Sequence, residues 1–402
     1  MRRKLFILAI LTFTTNLSFA QKAYVSIKGA VISVSKEANV TIQGDFESKG
    51  EKSADQSFVT MDGSLNIFGD ILNNTFPLFD EFSKGHFSFL GNQDQYITGE
   101  GTVNFSNIEV NKVPVDALEK PKIFFDAPIS ITKKTKLSSG IIEVGDDDLL
   151  LKEETTITRS IDGVGCFFNT DREGSVRKYF SYTEDPSLTL EMPIGANNQY
   201  SPVTVQFVDL ETLNDNAQLR FKAQGKRHES MPKDGQFLNR FWEVENIDIH
   251  ENTQYKMTFF YQQEDIVSED QENTYEGIEM KEEKGFLLPF NTLEKVDEVN
   301  NYFNINAKGK MKAFTAGDLR SATFSDVIVF PTPNDGHFSI KIDNPNDKWM
   351  DYEFYNIFGQ KILSGKTERG VFNFNFSKFP KGVYFYKIYF STKTVSRKIT
   401  IQ

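Results

Sequence analysis

The side chains that most often carry chemistry are few and scattered in this chain. His86, His228, His250 and His337 stand singly, and none opens an H-E-x-x-H pair that would set two imidazoles on one helical face around zinc. The single cysteine, Cys166, lies between Gly165 and Phe167 in a strand-like stretch. One thiol forms no intrachain disulfide and no multi-cysteine metal centre, and its expected role is that of a small buried apolar group. No G-x-S-x-G elbow or Walker loop occurs, and Gly99-Glu-Gly101 and Gly163-Val-Gly165 lack the third glycine of a dinucleotide fingerprint, so both read as turns. The remaining candidates are charged. Asp146, Asp147 and Asp148, with Glu153 and Glu154, form the densest acidic cluster, an oxygen-rich set of the kind that holds Ca²⁺, but without D-x-D-x-D-G spacing. A solvated turn between strands Ile141 to Val144 and Leu149 to Leu151 is the expected role, and Glu269-Asp-Gln-Glu272 and Glu282-Glu283 read alike. Cleaving a polysaccharide needs paired carboxylates, or an acid and a basic proton abstractor, on one face. Asp146 to Asp148 and Lys133, Lys134 and Lys136 are close in sequence, yet no motif arranges them. The chain therefore points to no catalytic residue, no cofactor and no metal site, and to a protein that is not an enzyme.

The elements that would carry these residues are strands. Over 402 residues, 38 Phe and 14 Tyr against 2 Trp give a β-leaning aromatic balance, and 25% charged residues place the chain among folded proteins. The net charge of −11, with no clustered basic window, excludes a nucleic-acid binder that works by counterion release. From Ala23 to about Thr158 apolar residues alternate with polar ones, as in Val40, Ile42 and Phe46 against Thr41, Gln43 and Asp45. VTIQGDF from Val40 returns as LNIFGDI from Leu65, 25 residues on, with Gly44-Asp45 matched by Gly69-Asp70, and HFSFLGN puts Phe87 in phase 22 residues later. That repeat predicts a β-solenoid-like region over residues 21–171, with an antiparallel sandwich as the alternative. Further strands are expected at Thr102 to Val110, Lys122 to Ile131 and Ile141 to Leu151.

From residue 172 to 317 charged loops lengthen and strands sharpen. Tyr255, Met257, Phe259 and Tyr261 share one strand face, and a β-sandwich is expected with Phe221, Phe237, Phe241, Trp242, Val244 and Phe314 in its core. Its landmarks, MPIGANNQYSPVTVQF, RFWEV and FTAGD, resemble a middle module of Bacteroidetes surface proteins. At the N-terminus, Met1-Arg-Arg-Lys4, the seven apolar residues Leu5 to Leu11 and Ser18-Phe-Ala20 compose a secretory signal over residues 1–20, cut between Ala20 and Gln21. Thr12, Thr14, Thr15 and Asn16 end the run well short of the roughly 20 apolar residues of a transmembrane helix.

After a linker at 318–325, residues 326–402 pack seven short strands between turn residues. Pro331-Thr-Pro-Asn-Asp-Gly336 cannot continue a ladder and makes a tight corner. Phe338, Ile340 and Ile342 then face one side, and Phe372, Phe374 and Phe376 repeat that alternation, which predicts a small immunoglobulin-like sandwich. In VIVFPTPNDGHFSI, FYNIFGQKI, FSKFPKGVYFYKI and RKITIQ, in that order, the segment resembles the type A C-terminal sorting domain of the Bacteroidetes type IX secretion system. Phe330, Thr332 and Phe379 stand where that family usually has tyrosine, asparagine and leucine. The resemblance implies sorting-motif positions at Pro331, Pro333, Asn334, Gly336, Gly359, Gly382, Tyr384 and Lys398. It also implies passage through the periplasm and outer membrane, recognition by the secretion machinery, and removal by a sortase between about Ala316 and Asp326. The expected protein is secreted or held at the cell surface and adhesive or structural, with surface polysaccharide or another surface protein as partner. Alternatives are a carbohydrate-binding accessory protein, using Trp242 and Trp349, and a β-helix lyase or glycoside hydrolase.

Overall fold

The structure, a computed structural model, describes residues 24–50, 57–75, 77–80, 82–114, 120–160, 165–180, 188–209, 213–231, 235–283, 286–319, 327–331, 333–342, 347–391 and 394–402. The expected export peptide and its Ala20–Gln21 junction lie outside these residues, as does most of the expected linker. The fold is all-β, with 61% of residues in strands and 3% in helix, and its N-terminal region is a β-solenoid of about six turns.

The solenoid forms because the apolar alternation recurs at one coil length. The first coil has three strands, β1 (Tyr24–Lys28), β2 (Val31–Val34) and β3 (Asn39–Ile42), and each pairs in parallel with its counterpart in the next coil. Val40 lies beside Leu65, and Leu65 beside Phe87, so the 25- and 22-residue spacings in the sequence are the coil register itself. One face continues through Asp45–Lys49, Ile71–Asn73, Gln95–Thr98, Lys122–Asp126, Ile141–Val144 and Phe168–Asn169 to Ile194–Ala196. The long strands Val103–Asn111 and Ile129–Ser139 serve two faces, their paired register shifting between Phe105 and Asn107. Inward positions stack aromatic rings along the axis, with Phe87 packed 5.0 Å from Phe105 and 5.7 Å from Phe79 between ring centroids. The expected strands of the first half are present and coil instead of forming a meander, although the stretches Lys122 to Ile131 and Ile141 to Leu151 each turn a corner and fold as two strands in different sheets.

An aspartate closes one corner of successive coils. Asp45 Oδ1 accepts the Asp70 N–H at 2.8 Å, Asp70 Oδ1 accepts that of Tyr96 at 3.0 Å, and Asp94 Oδ1 accepts that of Lys122 at 2.8 Å. Each bond reaches the next coil and satisfies an amide at the point where a strand begins. Gly69 is required at this corner because a Cβ there would stand 2.4 Å from both Asp45 Oδ1 and the Gly44 carbonyl carbon.

At residue 172 the texture of the sequence changes, but the sheet does not break. The strand Val176–Tyr179 pairs in parallel with Leu149–Leu151 on one edge and antiparallel with Leu213–Gln224 on the other. The same sheet then runs through Phe241–Ile249, Ala313–Asp318, Glu276–Glu283 and Phe286–Lys295. A second sheet of four strands, Thr189–Met192, Val203–Asp209, Gln254–Phe260 and Tyr302–Lys308, packs against it. Trp242 fills the gap, 5.4 Å from the Phe259 ring and 5.6 Å from that of Phe303, and donates its indole N–H to the Ser201 carbonyl at 3.0 Å. Phe221, Trp242, Val244, Tyr255 and Phe314 are buried in the expected core, whereas Phe237 and Phe241 are buried in a separate cluster with Met231, Ile278, Met280 and Leu319. A single buried apolar cluster runs from Ile27 to Ala316, so solenoid and middle sandwich share one core.

The last segment has a core of its own. Its sheets are Val327–Phe330, His337–Ile342 and Gly370–Asn375 on one side, and Lys361–Glu368, Trp349–Tyr355, Gly382–Tyr389 and Thr394–Ile401 on the other. These are the seven strands expected from the sequence, closed on Phe338, Ile340, Phe354, Phe376, Tyr386 and Ile388.

Candidate functional site: the C-terminal sandwich

The opening corner of the C-terminal sandwich is fastened to its final strand. Asn334 is buried and forms a parallel bridge with Ile401, its N–H donating to the Thr400 carbonyl at 3.3 Å while its own carbonyl accepts the Gln402 N–H at 2.7 Å. Its side chain donates to the Pro331 and Thr400 carbonyls and accepts the Gly336 N–H at 2.9 Å. Gly336 holds φ at +97°, and a Cβ there would lie 2.8 Å from the Ser377 nitrogen, so both conformation and space demand glycine. Pro331, Pro333, Asn334 and Gly336 therefore form one corner that joins the first and last strands of the domain.

The remaining motif positions occupy the other sheet. Tyr384 is buried against Phe376 and Phe379, and its hydroxyl donates to the Pro380 carbonyl at 2.5 Å. Lys398 is exposed and lies across from Phe385, also exposed. Gly359 and Gly382 have positive φ with nothing near a would-be Cβ, so they set chain direction and not packing. The Gly359 turn is built on Asn356, whose Oδ1 accepts the N–H groups of Phe358 and Gln360, each at 3.0 Å. At its tip Ile357 and Phe358 point into solvent, Phe358 with 81% of its surface exposed. The sequence motif marks the glycine of this turn but leaves the apolar tip unremarked; the tip is legible as the two residues between Asn356 and Gly359 where two alternating strands meet.

On the outer face of the same sheet, Glu353 accepts hydrogen bonds from the Tyr355 hydroxyl, from the Tyr389 hydroxyl at 2.5 Å and from Lys361 Nζ at 3.0 Å. These donors pull its carboxyl down to about 2. Trp349, 57% exposed, lines an open groove of about 670 Å³ with Tyr352, Phe372 and Phe374, where the two sheets part at their edge strands.

The acidic candidates of the solenoid are engaged by the fold. Asp148 is another corner aspartate: its Oδ1 accepts the Ser175 N–H at 2.8 Å, and its Oδ2 lies 2.5 Å from Arg177. These partners hold its carboxyl below the usual carboxylate range, although burial acts the other way. Arg172 pairs with Asp126 and with Asp146, at 3.1 Å for the latter, and Glu153 and Glu154 are exposed in a turn. Lys136 pairs with Glu109 at 2.7 Å, and His86 reaches the same carboxylate at 3.3 Å, whereas Lys134 projects outward. Among the described residues no three His, Cys, Asp or Glu side chains are grouped to hold a metal ion. Cys166 is fully buried, which pushes its thiol up to about 12 and keeps it from acting as a nucleophile at neutral pH. Trp242, one of two tryptophans considered for sugar stacking, is buried in the core. Tyr96 and Phe124 stack on the outer face of adjacent coils, centroids 4.6 Å apart and planes 6° apart, so they cover each other's faces.

A C-terminal sandwich of seven strands, its first corner tied to its last strand, is a terminal module separate from the core that precedes it. Residues 328–402 match the family model of the secretion system C-terminal sorting domain. The chain is a cargo protein of the type IX secretion system, exported to the cell exterior and released or attached to the surface. No curated protein matches the chain. Among the described residues no helix is long and apolar enough to cross a membrane.

The segment from Ala316 to Asp326, where the sequence leads one to expect a sortase cut, begins inside the fold. Ala316 to Asp318 belong to a strand paired on both sides within the long sheet, and Leu319 is buried. Ala316 to Leu319 of the segment expected to hold that cut are therefore folded into the body, and residues 320–326 lie outside those described.

Proposed function

We propose that the solenoid and middle sandwich form a non-catalytic, adhesive or structural body, delivered by the C-terminal domain and displayed outside the cell. Export begins at the signal over residues 1–20 and passes through the periplasm. Pro331, Pro333, Asn334, Gly336, Gly359, Gly382, Tyr384 and Lys398 compose the sorting signal. The observation that carries the non-catalytic reading is the pairing of outward acids along the coils. Asp148 is held by Ser175 and Arg177, Glu143 by Lys122 at 2.6 Å and Asn169 at 2.8 Å, and Glu109 by Lys136, Ser138 and His86. Carboxylates neutralised in this way close corners and register coils, and they do not converge on a groove as a general acid and base must.

The test compares cells making the full chain with cells making a chain truncated before Asp326, with the product ends read by mass spectrometry. Surface or medium localisation of the full chain, a new N-terminus at Gln21 and a C-terminus beyond Leu319, with the truncated chain retained, supports the export route. Identical behaviour of the two chains refutes the role given to the tail. The purified body is then incubated with surface polysaccharides; any shortening of the polymer refutes the non-catalytic reading, and cell attachment lost on deletion of the protein supports the adhesive one.

A further inference from the structure

We infer that the first coil is a self-association surface, on which a second copy of this chain docks end to end in a two-fold pair. Ile27 and Val34 of the first coil are buried, but other core-facing positions that are sealed in the second coil are open in the first. Val25 is 37% and Val40 38% exposed, whereas their in-register neighbours Phe46 and Leu65 are each 4% exposed. Ile32 and Ile42, beside buried Val59 and Ile67, are also only partly covered. Among the described residues each of β1, β2 and β3 is paired along one edge only, so three rows of backbone groups face the end of the solenoid. Solenoid ends and free strand edges are usually blunted by a cap, a proline or inward charges. The strands YVSIK, VISV and NVTI contain no proline and a single charge, Lys28.

The segment preceding β1 is too short to cover this end, an argument that rests on cleavage at Ala20. Only Gln21, Lys22 and Ala23 would then precede Tyr24, and three residues span about 10 Å, less than one of the three faces. A second copy fits. A two-fold axis across the solenoid end lays β1 antiparallel to its own copy, centred on Ser26, which puts Val25 opposite the second copy's Ile27 on the core side. On the outer side it sets Tyr24 beside the second copy's Lys28, an ammonium near an aromatic ring. The same rotation brings β2 against the second copy's β3, where Ile32 meets Ile42 and Val34 meets Val40. At its other end the solenoid sheet runs on into antiparallel strands, so each chain has one open end and assembly stops at two.

The test uses a chain running from Gln21 to Gln402, with its mass measured by sedimentation equilibrium. The expected result is twice the chain mass at micromolar concentration, falling to a single chain for a Val25→Lys/Val40→Lys variant whose circular dichroism is unchanged. Should the lysines unfold the first coil, hydrogen exchange of the unaltered protein decides: amides of β1 to β3 are expected to exchange roughly tenfold faster on dilution into the monomer range. A single-chain mass, a variant that folds and stays paired, or exchange independent of concentration overturns the proposal. A native mature N-terminus upstream of Gln21 together with a single-chain mass also overturns it, and assigns the cover to residues 1–23.

Discussion

Replacing Arg240 with alanine is expected to unlock the joint between solenoid and middle sandwich. Arg240 is fully buried, and its Nε lies 2.6 Å from Asp265 Oδ2. Nη2 donates to Gln199 Oε1 at 2.7 Å and Nη1 to the Ala196 carbonyl at 3.3 Å, so one guanidinium ties the last strand of a solenoid face to a short 3-10 turn of the sandwich. Asp265 is buried as well, and apart from Arg240 its Oδ2 accepts the Gln262 N–H at 2.8 Å. Alanine would leave that carboxylate charged without its counterion and Gln199 Oε1 without its donor. Breaking a buried pair from one side costs about 3–5 kcal/mol, a large part of a domain's whole stability of roughly 5–15 kcal/mol. Arg240→Ala and Asp265→Ala should each lower the unfolding free energy measured by urea titration by that order. Trp242 fluorescence is the probe, since Trp242 is buried two residues away and Trp349 is already exposed. An Arg240→Met/Asp265→Leu double variant removes both charges and should recover most of the loss. Single losses below about 1 kcal/mol, or a double loss equal to the sum of the singles, would refute the argument that the pair acts as one unit.

Three further outcomes follow from the geometry. Raising pH from 7.5 to 9.5 should raise the melting temperature, because burial holds Lys112 and Lys178 down at about 8. Below that value both folded and unfolded chains carry these protons; between about 8 and 10.4 only the unfolded chain does, so stability rises, by roughly 1–2 kcal/mol per lysine. Ionisation of the Cys166 thiol in the unfolded chain above about 8.5 opposes this by roughly 1 kcal/mol at pH 9.5, less than the two lysines supply together. A melting temperature flat or falling across this window in a Cys166→Ala background therefore counts against buried lysine ammonium groups. Gly69→Ala should destabilise the solenoid by about 1–3 kcal/mol in thermal melts, since its Cβ meets a backbone carbonyl and the Asp45 carboxylate, whereas Gly309→Ala, set by φ more than by space, should cost less. Asn334→Ala should cost the C-terminal sandwich about 1–3 kcal/mol by leaving the buried Gly336 N–H unpaired, and should reduce the exported fraction in a secretion blot; normal export would separate the corner's stability from its signal.

Sequence legibility followed the range of the interactions. The coil register could be read because Val40, Leu65 and Phe87 repeat a local pattern that becomes direct strand pairing. The C-terminal strands could be read because turn chemistry bounds each one at Gly336, Gly359 and Gly382. The continuity of the long sheet was not legible, since Val176–Tyr179 meets Leu213–Gln224 with no shared repeat to announce it. Nothing in the sequence assigns Arg240 a role until Asp265, Gln199 and Ala196 are brought around it. Asp148 was visible as an acid, and only the fold supplies Ser175, Arg177 and Arg220 as its partners.

The placement of the strand Ala313–Asp318 bears on the order of events in making this protein. It is the last strand of the body, yet it lies in the interior of the long sheet, between Phe241–Ile249 and Glu276–Glu283. A chain interrupted before it would leave both neighbours with bare edges and would not complete the sandwich. The body therefore closes only when synthesis has reached the threshold of the sorting domain, so completeness of the cargo and possession of its export tag arise together.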